Sequence, residues 1–72
     1  MNAAHKNALT VTGVVFEALP DTLFRVRLDD EQELLCFLAG KMRMHRIRVL
    51  IGDKVSVEID PYGGKGRIVK RL

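Results

Sequence analysis

The sequence has few of the features on which disulfide-rich, zinc-binding and membrane-spanning proteins depend. It holds one cysteine, two histidines and no tryptophan, and its longest uninterrupted apolar run is six residues, at positions 34–39. One cysteine excludes an internal disulfide, and one cysteine with two histidines cannot complete a four-ligand zinc site. A membrane-spanning helix needs about 20 apolar residues, so we expect no membrane span.

Length and composition indicate one small globular domain. Of the 72 residues, 47% are hydrophobic and 29% are charged, a balance typical of folded rather than disordered chains. This length leaves no room for a second domain and excludes most enzymes of ordinary size. The N-terminus shows no basic-then-apolar signal pattern, so we expect a cytoplasmic protein.

Positive charge is concentrated in the second half of the sequence. Residues 1–40 hold three basic and six acidic side chains, whereas residues 41–72 hold nine basic and three acidic ones. The first basic cluster comprises Lys41, Arg43, Arg46 and Arg48. The second basic cluster comprises Lys65, Arg67, Lys70 and Arg71. Such concentration points to a polyanionic partner, nucleic acid or an anionic membrane, with a merely solubilising basic face as the alternative.

Alternating apolar and β-branched residues predict five strands separated by turns. The strands are predicted at residues 9–19, 23–28, 33–38, 54–59 and 67–71. The first strand is apolar on both faces around Gly13, so we expect it to bend there and serve two sheets. Residues 41–48 fit neither a strand nor a helix period cleanly, which indicates one helical turn followed by a loop.

This order predicts an all-β fold, a five-stranded OB-fold Greek-key barrel with a short helical turn between the third and fourth strands. Residues 9–72 are predicted to form this single RNA-binding domain, after a flexible tail at residues 1–8. An SH3-like barrel is the alternative, because it has the same strand count and length.

One face of each strand is predicted to line the core. The side chains expected inside are Phe16, Phe24, Val26, Leu28, Cys36, Phe37, Val55, Val57, Ile59 and Ile68. The fourth strand should point Lys54, Ser56 and Glu58 outward. Among the aromatic residues, only Tyr62 is a candidate for exposure, and packing over its own loop is an equal alternative. Because exposed aromatic platforms are scarce, we expect contact with the phosphates and shape of a folded RNA rather than threading of a single strand.

No combination of residues indicates catalysis, a cofactor or a metal. Cys36 lies in an apolar run, where a thiol is a core group, and His5 lies in the predicted tail. His45 stands among four cations, where it could equally touch RNA or fill space. Residues 63–67 faintly resemble a phosphate loop but lack the spacing and following helix of a Walker motif, which favours a basic hairpin. We therefore expect no enzymatic activity.

Six motifs in order resemble bacterial translation initiation factor one over roughly residues 9–69. They read LPDTLFRV at 19–26, GKMR at 40–43, IRVL at 47–50, GDKV at 52–55, PY at 61–62 and KGRI at 65–68. The resemblance implies an OB-fold factor that binds the small ribosomal subunit at its aminoacyl-tRNA site and blocks premature tRNA binding. It implies contacts with decoding-region RNA and a neighbouring ribosomal protein, cooperation with the other two initiation factors, and no catalytic activity.

Basic residues that match the family by position are Lys41, Arg43, Arg48, Lys65 and Arg67. The sequence departs from the family at Arg46, where tyrosine is usual, at Lys70, where an aromatic is usual, and in a shorter loop after residue 62. These departures predict that the affinity for RNA falls more steeply as the salt concentration rises.

The predicted RNA contacts are Lys41, Met42, Arg43, His45, Arg46, Arg48, Lys65, Arg67 and Arg71. Since the sequence shows no dimer interface, we expect a monomer. The alternative functions are a general RNA-binding chaperone of OB-fold type and a protein-interaction barrel.

Overall fold

A computed structural model describes residues 9–59 and 64–72 of the chain. Over these residues the elements are β1 (Leu9–Leu19), a 3-10 turn (Pro20–Thr22), β2 (Leu23–Leu28), β3 (Glu33–Leu38), α1 (Gly40–Met44), β4 (Lys54–Ile59) and β5 (Gly66–Arg71). The first four predicted strands are confirmed, and β5 begins one residue before its predicted start. The predicted tail at residues 1–8 and the candidate exposed residue Tyr62 fall outside the described residues.

The strands close into a barrel in the order β1-β2-β3-β5-β4. β1 pairs antiparallel with both β2 and β4, while β3 and β5 run parallel, with Cys36 opposite Gly66 and Leu38 opposite Ile68. The helix α1 and strand β4 supply the crossover that a parallel pairing of β3 with β5 requires. This arrangement confirms the OB-fold prediction rather than the SH3-like alternative.

β1 pairs on both sides at Gly13, within one closed sheet and not between the two sheets that were predicted. This residue pairs with Leu28 on one side and Val55 on the other. A Cβ atom there would lie 2.6 Å from the carbonyl oxygen of Arg27, so only glycine permits this approach of the two strands. The register shift in β1 lies further along, between Val15 and Glu17, and marks a bulge at Phe16.

The barrel interior holds most of the predicted core. Its buried side chains are Val15, Phe24, Val26, Leu28, Cys36, Met42, Val49, Val55, Val57 and Ile68. Ile59 is only partly buried and packs against this core. The helix α1 and the chain after it contribute Met42 and Val49, which close one end of the barrel.

Two predicted orientations were wrong. Phe16 is half-buried and faces outward, since it alternates with the inward Val15, and the guanidinium of Arg27 lies over its ring, 5.0 Å from the centroid. Phe37 is also half-buried, since it alternates with the inward Cys36 and lies opposite Arg67 on the outer face. Ser56 alternates with the inward Val55 and Val57, as predicted for an outward residue, and is buried on that outer face.

Cys36 gives the fold a pH dependence at alkaline pH. Burial raises the pKa of its thiol from 9.0 to about 11, against a smaller opposing effect of a hydrogen bond with the Gly66 backbone. The folded protein therefore keeps a proton that the unfolded chain loses. The resulting stability is complete below about pH 9 and is lost as pH rises through about 11.

As pH rises from about 9 to about 11, the free energy of unfolding of the native protein should fall by about 2–3 kcal/mol more than that of Cys36→Ala. Urea unfolding at successive pH values between neutrality and about 11 measures it, and the alanine variant removes the contribution of all other titrating groups. Parallel pH profiles for the two proteins would contradict the assignment.

Candidate nucleic-acid interface

Four segments meet at one end of the barrel, which we call the basic end. They are the turn Pro20–Thr22, α1, residues 45–53 and the last residues of β5. The Ala39 amide donates to the Ile68 carbonyl at 2.9 Å, which fixes the approach of α1 to β5. On the other side of α1, Arg43 Nη2 lies 3.5 Å from Thr22 Oγ1.

The helix α1 ends in a conformation that arginine rarely adopts. The Arg46 amide donates to the Arg43 carbonyl at 3.1 Å, and the Ile47 amide donates to the Met42 carbonyl at 3.0 Å. This pair of bonds is a Schellman motif, whose left-handed residue is usually glycine. Here that residue is Arg46, with φ of 53°. Its left-handed backbone turns the chain out of the helix and into residues 45–53.

Residues 45–53 are held at their far end by hydrogen bonds and by one buried side chain. The Leu50 amide donates to Asp53 Oδ2 at 2.8 Å, and the Asp53 amide donates back to the Leu50 carbonyl at 3.0 Å. The Gly52 amide donates to the Val15 carbonyl at 2.7 Å, which fastens the turn to β1. Val49 is buried between two exposed residues, so Arg48 is displayed on an anchored segment.

Three arginines outside the basic end have carboxylate partners. Arg25 lies 3.0 Å from Glu17, Arg27 lies 3.0 Å from Glu33, and Arg67 lies 4.0 Å from Glu58. Within residues 9–59 and 64–72, the first basic cluster forms no ion pair. Its four exposed charges therefore raise the local positive potential without compensation, which favours a polyanion.

The structure removes one residue from the predicted set. Met42 is 1% exposed and closes the barrel, so its side chain cannot reach a partner. It occupies the inner face of α1, and the cations on either side of it in the sequence concealed this apolar role. The remaining predicted residues are exposed: Lys41, Arg43, His45, Arg46, Arg48, Lys65, Arg67 and Arg71.

The second basic cluster does not form one group. Arg71 Nη1 donates to the Arg48 carbonyl at 3.0 Å, which joins Arg71 to the basic end. Arg67 instead lies on the outer face of β5 between Phe37 and Glu58. Lys65 precedes β5, at the opposite end of that strand from Arg71.

Two residues outside the predicted RNA contacts shape the basic end. Asp53 closes the turn that carries Leu50, and Thr22 contacts Arg43 from a left-handed conformation with φ of 57°. Ile51-Gly52-Asp53 is a turn signal in the sequence, and the structure confirms a turn there. The contact of Thr22 spans 21 positions in the sequence and carries no local signal.

One glycine of the segment that faintly resembles a phosphate loop, Gly66, is explained by packing. A Cβ on Gly66 would lie 2.6 Å from Leu34 Cδ2, 2.8 Å from Val57 Cγ1 and 3.0 Å from Cys36 Sγ. Glycine is thus required where β5 enters the barrel wall.

Over the described positions, no three His, Cys, Asp or Glu side chains group as metal ligands do. In the same part of the chain, the helix present is too short to cross a bilayer.

Comparison with known proteins finds matches over nearly the whole chain. A family model described as "Translation initiation factor 1A / IF-1" matches residues 1–72. The solution structure of translation initiation factor one from the Wolbachia endosymbiont strain TRS of Brugia malayi is 43% identical, with a TM-score of 0.82. That alignment covers 99% of this chain and 85% of the other, so it includes both the barrel and the basic end.

A second solved structure shares the barrel within a larger protein. The crystal structure of YjeQ from Thermotoga maritima matches with a TM-score of 0.73 and 26% identity. The match covers 89% of this chain but only 23% of the other.

Proposed function

The chain belongs to the translation initiation factor 1A / IF-1 family, and from this we propose that it binds the small ribosomal subunit at the aminoacyl-tRNA (decoding) site. It acts there as an initiation factor in the cytoplasm, contacts rRNA through the basic end, and blocks premature tRNA binding. A neighbouring ribosomal protein and the other two initiation factors are its protein partners.

The observation that supports this proposal is the arrangement of the first basic cluster. Its cations are exposed on α1 and on an anchored segment, without carboxylate partners among the described residues. Guanidinium groups bind phosphates through paired donors, and a preformed display of them avoids the entropy of ordering a loop. Phosphate neutralisation releases counterions and supplies affinity.

The mechanism is occupancy rather than chemistry. A closed barrel is a rigid body, and the basic end presses one side of it against folded RNA. The outer aromatic rings offer little stacking area, since Phe16 is covered by Arg27 and Phe37 is half-buried. Binding therefore relies on phosphates and shape. The bound domain excludes tRNA by filling its site, a role that needs no catalytic residue, cofactor or metal.

Salt dependence tests the electrostatic basis of this proposal. If each cation of the first basic cluster neutralises one phosphate, log Kd changes with log salt with a slope of about 3 in magnitude. Binding to isolated bacterial small ribosomal subunits across a salt series measures the slope. A flat titration would refute the electrostatic mechanism, including the stronger salt dependence predicted from Arg46 and Lys70.

Arg46→Gly should change stability and affinity in opposite directions. Glycine adopts the left-handed conformation without strain, so we expect the free energy of unfolding to rise by about 0.5–1 kcal/mol. Loss of the guanidinium should weaken subunit binding severalfold and flatten the salt slope by about 0.7–0.9. Urea unfolding and subunit binding on the same preparation provide both values.

Met44→Gly is the control for this variant. Met44 is 76% exposed and has helical geometry at the end of α1, so glycine there should lower stability rather than raise it. A stability loss in Arg46→Gly, or full affinity without the charge, would contradict the account of Arg46.

A further inference from the structure

Arg71 stands apart from the other cations in what its guanidinium contacts. Its Nη1 donates to the main-chain carbonyl of Arg48 at 3.0 Å, across 23 positions of the sequence. The strand that carries Arg71 is fixed immediately afterwards, because the Leu72 amide donates to the Lys54 carbonyl at 2.8 Å. The backbone of Arg71 is therefore held in place, and its side chain reaches the middle of residues 45–53.

Among the described contacts, no other hydrogen bond reaches the backbone of Arg48, although the next side chain, Val49, is buried. The Schellman motif holds the residue before Arg48, and the turn closed by Asp53 holds the chain from Leu50 onward. Arg48 lies between these two anchors, outside any strand or helix. A hydrogen bond from a charged donor is stronger than one between neutral groups, so the bond from Arg71 is well suited to fix this position.

This contact also places a cationic side chain against the backbone of a second basic residue. Arg48 and Arg71 belong to separate elements, and neither forms an ion pair within the described parts of the chain. Both charges therefore remain available to a polyanion. The hydrogen bond fixes the backbone of Arg48 before binding occurs.

We propose that Arg71 is a positioning residue, which holds the backbone of Arg48 so that the Arg48 side chain is presented to RNA. The inference rests on the proposed function and goes beyond it by assigning Arg71 a role through Arg48 rather than as an independent phosphate contact. Preorganisation of this kind raises affinity by lowering the entropy lost on binding.

A double-mutant cycle tests the proposal. Binding to isolated bacterial small ribosomal subunits is measured for the native protein, Arg71→Gln, Arg48→Gln and the double variant. We expect Arg71→Gln to weaken binding roughly tenfold in the native background and about twofold or less in the Arg48→Gln background. Equal factors in the two backgrounds would show an independent contact and overturn the proposal.

Lys70→Gln is the matched control. It removes the same charge from the adjacent exposed position of β5, which pairs across the sheet with Ser56. Lys70→Gln should change binding by the same factor in the native and the Arg48→Gln backgrounds, because Lys70 does not act through Arg48. Coupling of equal size for Lys70 and Arg71 would indicate general charge effects and refute positioning.

NMR of the free protein separates this inference from the proposed function. Arg71→Gln should shift the carbonyl carbon of Arg48 and lower the order parameters of residues 47–49, whereas Lys70→Gln should change neither. Unchanged spectra would overturn the positioning role even where subunit binding is intact. Failure of the native protein to bind small subunits would overturn the proposed function, and the role of Arg71 toward RNA with it.

Discussion

Replacing Arg43 and Arg48 together by glutamate should abolish binding to the small ribosomal subunit while leaving the fold intact. We expect affinity to fall by at least about 100-fold, because two phosphate contacts become repulsions. Both side chains are exposed and neither has a carboxylate partner among the described residues, so their replacement removes no ion pair. The melting temperature should therefore stay within about 5 °C of the native value.

A pair of neutralised variants provides the control for charge alone. Arg43→Gln with Arg48→Gln should flatten the salt slope by about 1.4–1.8. Arg25→Gln with Arg27→Gln removes the same charge from residues paired with Glu17 and Glu33, and should leave the slope nearly unchanged. Collapse of the fold in the Arg43→Glu, Arg48→Glu variant would show that these arginines are structural. Equal salt slopes in the two glutamine pairs would show that the cations of the basic end bind RNA no more than the ion-paired arginines do.

Gly13→Ala should have the largest effect on the fold. Its added methyl group would lie 2.6 Å from the Arg27 carbonyl oxygen and 2.7 Å from Val26 Cγ1. The first contact is with backbone, which cannot move without separating β1 from β2. We expect a loss of about 3 kcal/mol in the free energy of unfolding, a large part of the stability of a domain this small. Thermal or urea unfolding measures it.

Gly40→Ala is the control for this substitution. A Cβ atom on Gly40 has no neighbour within 4 Å, and the residue begins α1. Alanine there should be neutral or stabilise the protein by up to about 1 kcal/mol. If the two alanine variants are equally stable, the close approach at Gly13 does not constrain the barrel.

The strands could be predicted because their signals are local. Alternation in β2 and the turn residues that follow each strand depend only on neighbouring positions, and the structure confirms them. The start of β5 was placed one residue late because Gly66 has no side chain to contribute to the pattern. Phe16 was misplaced because Val14, Val15 and Phe16 are all apolar, so the local pattern does not show which of them faces the core.

The basic end could be predicted only in part. Charge density identified the first basic cluster, since exposure of arginine and lysine is the rule. It misassigned Met42, whose burial depends on how α1 packs against the open end of the barrel. It also grouped Arg71 with Lys65, whereas the structure attaches Arg71 to Arg48 and leaves Lys65 beyond the other end of β5. These relations arise from the fold and not from sequence spacing.

Direct binding to isolated bacterial small ribosomal subunits, with large subunits as control and a decoding-site ligand as competitor, tests the central claim. The account predicts saturable one-to-one binding that weakens steeply with salt and is displaced by the competitor. Weak, unsaturable binding shared by both subunits would contradict it and would indicate a general RNA-binding chaperone. Capture of a protein partner that survives ribonuclease, without binding to small subunits, would contradict it in favour of a protein-interaction barrel.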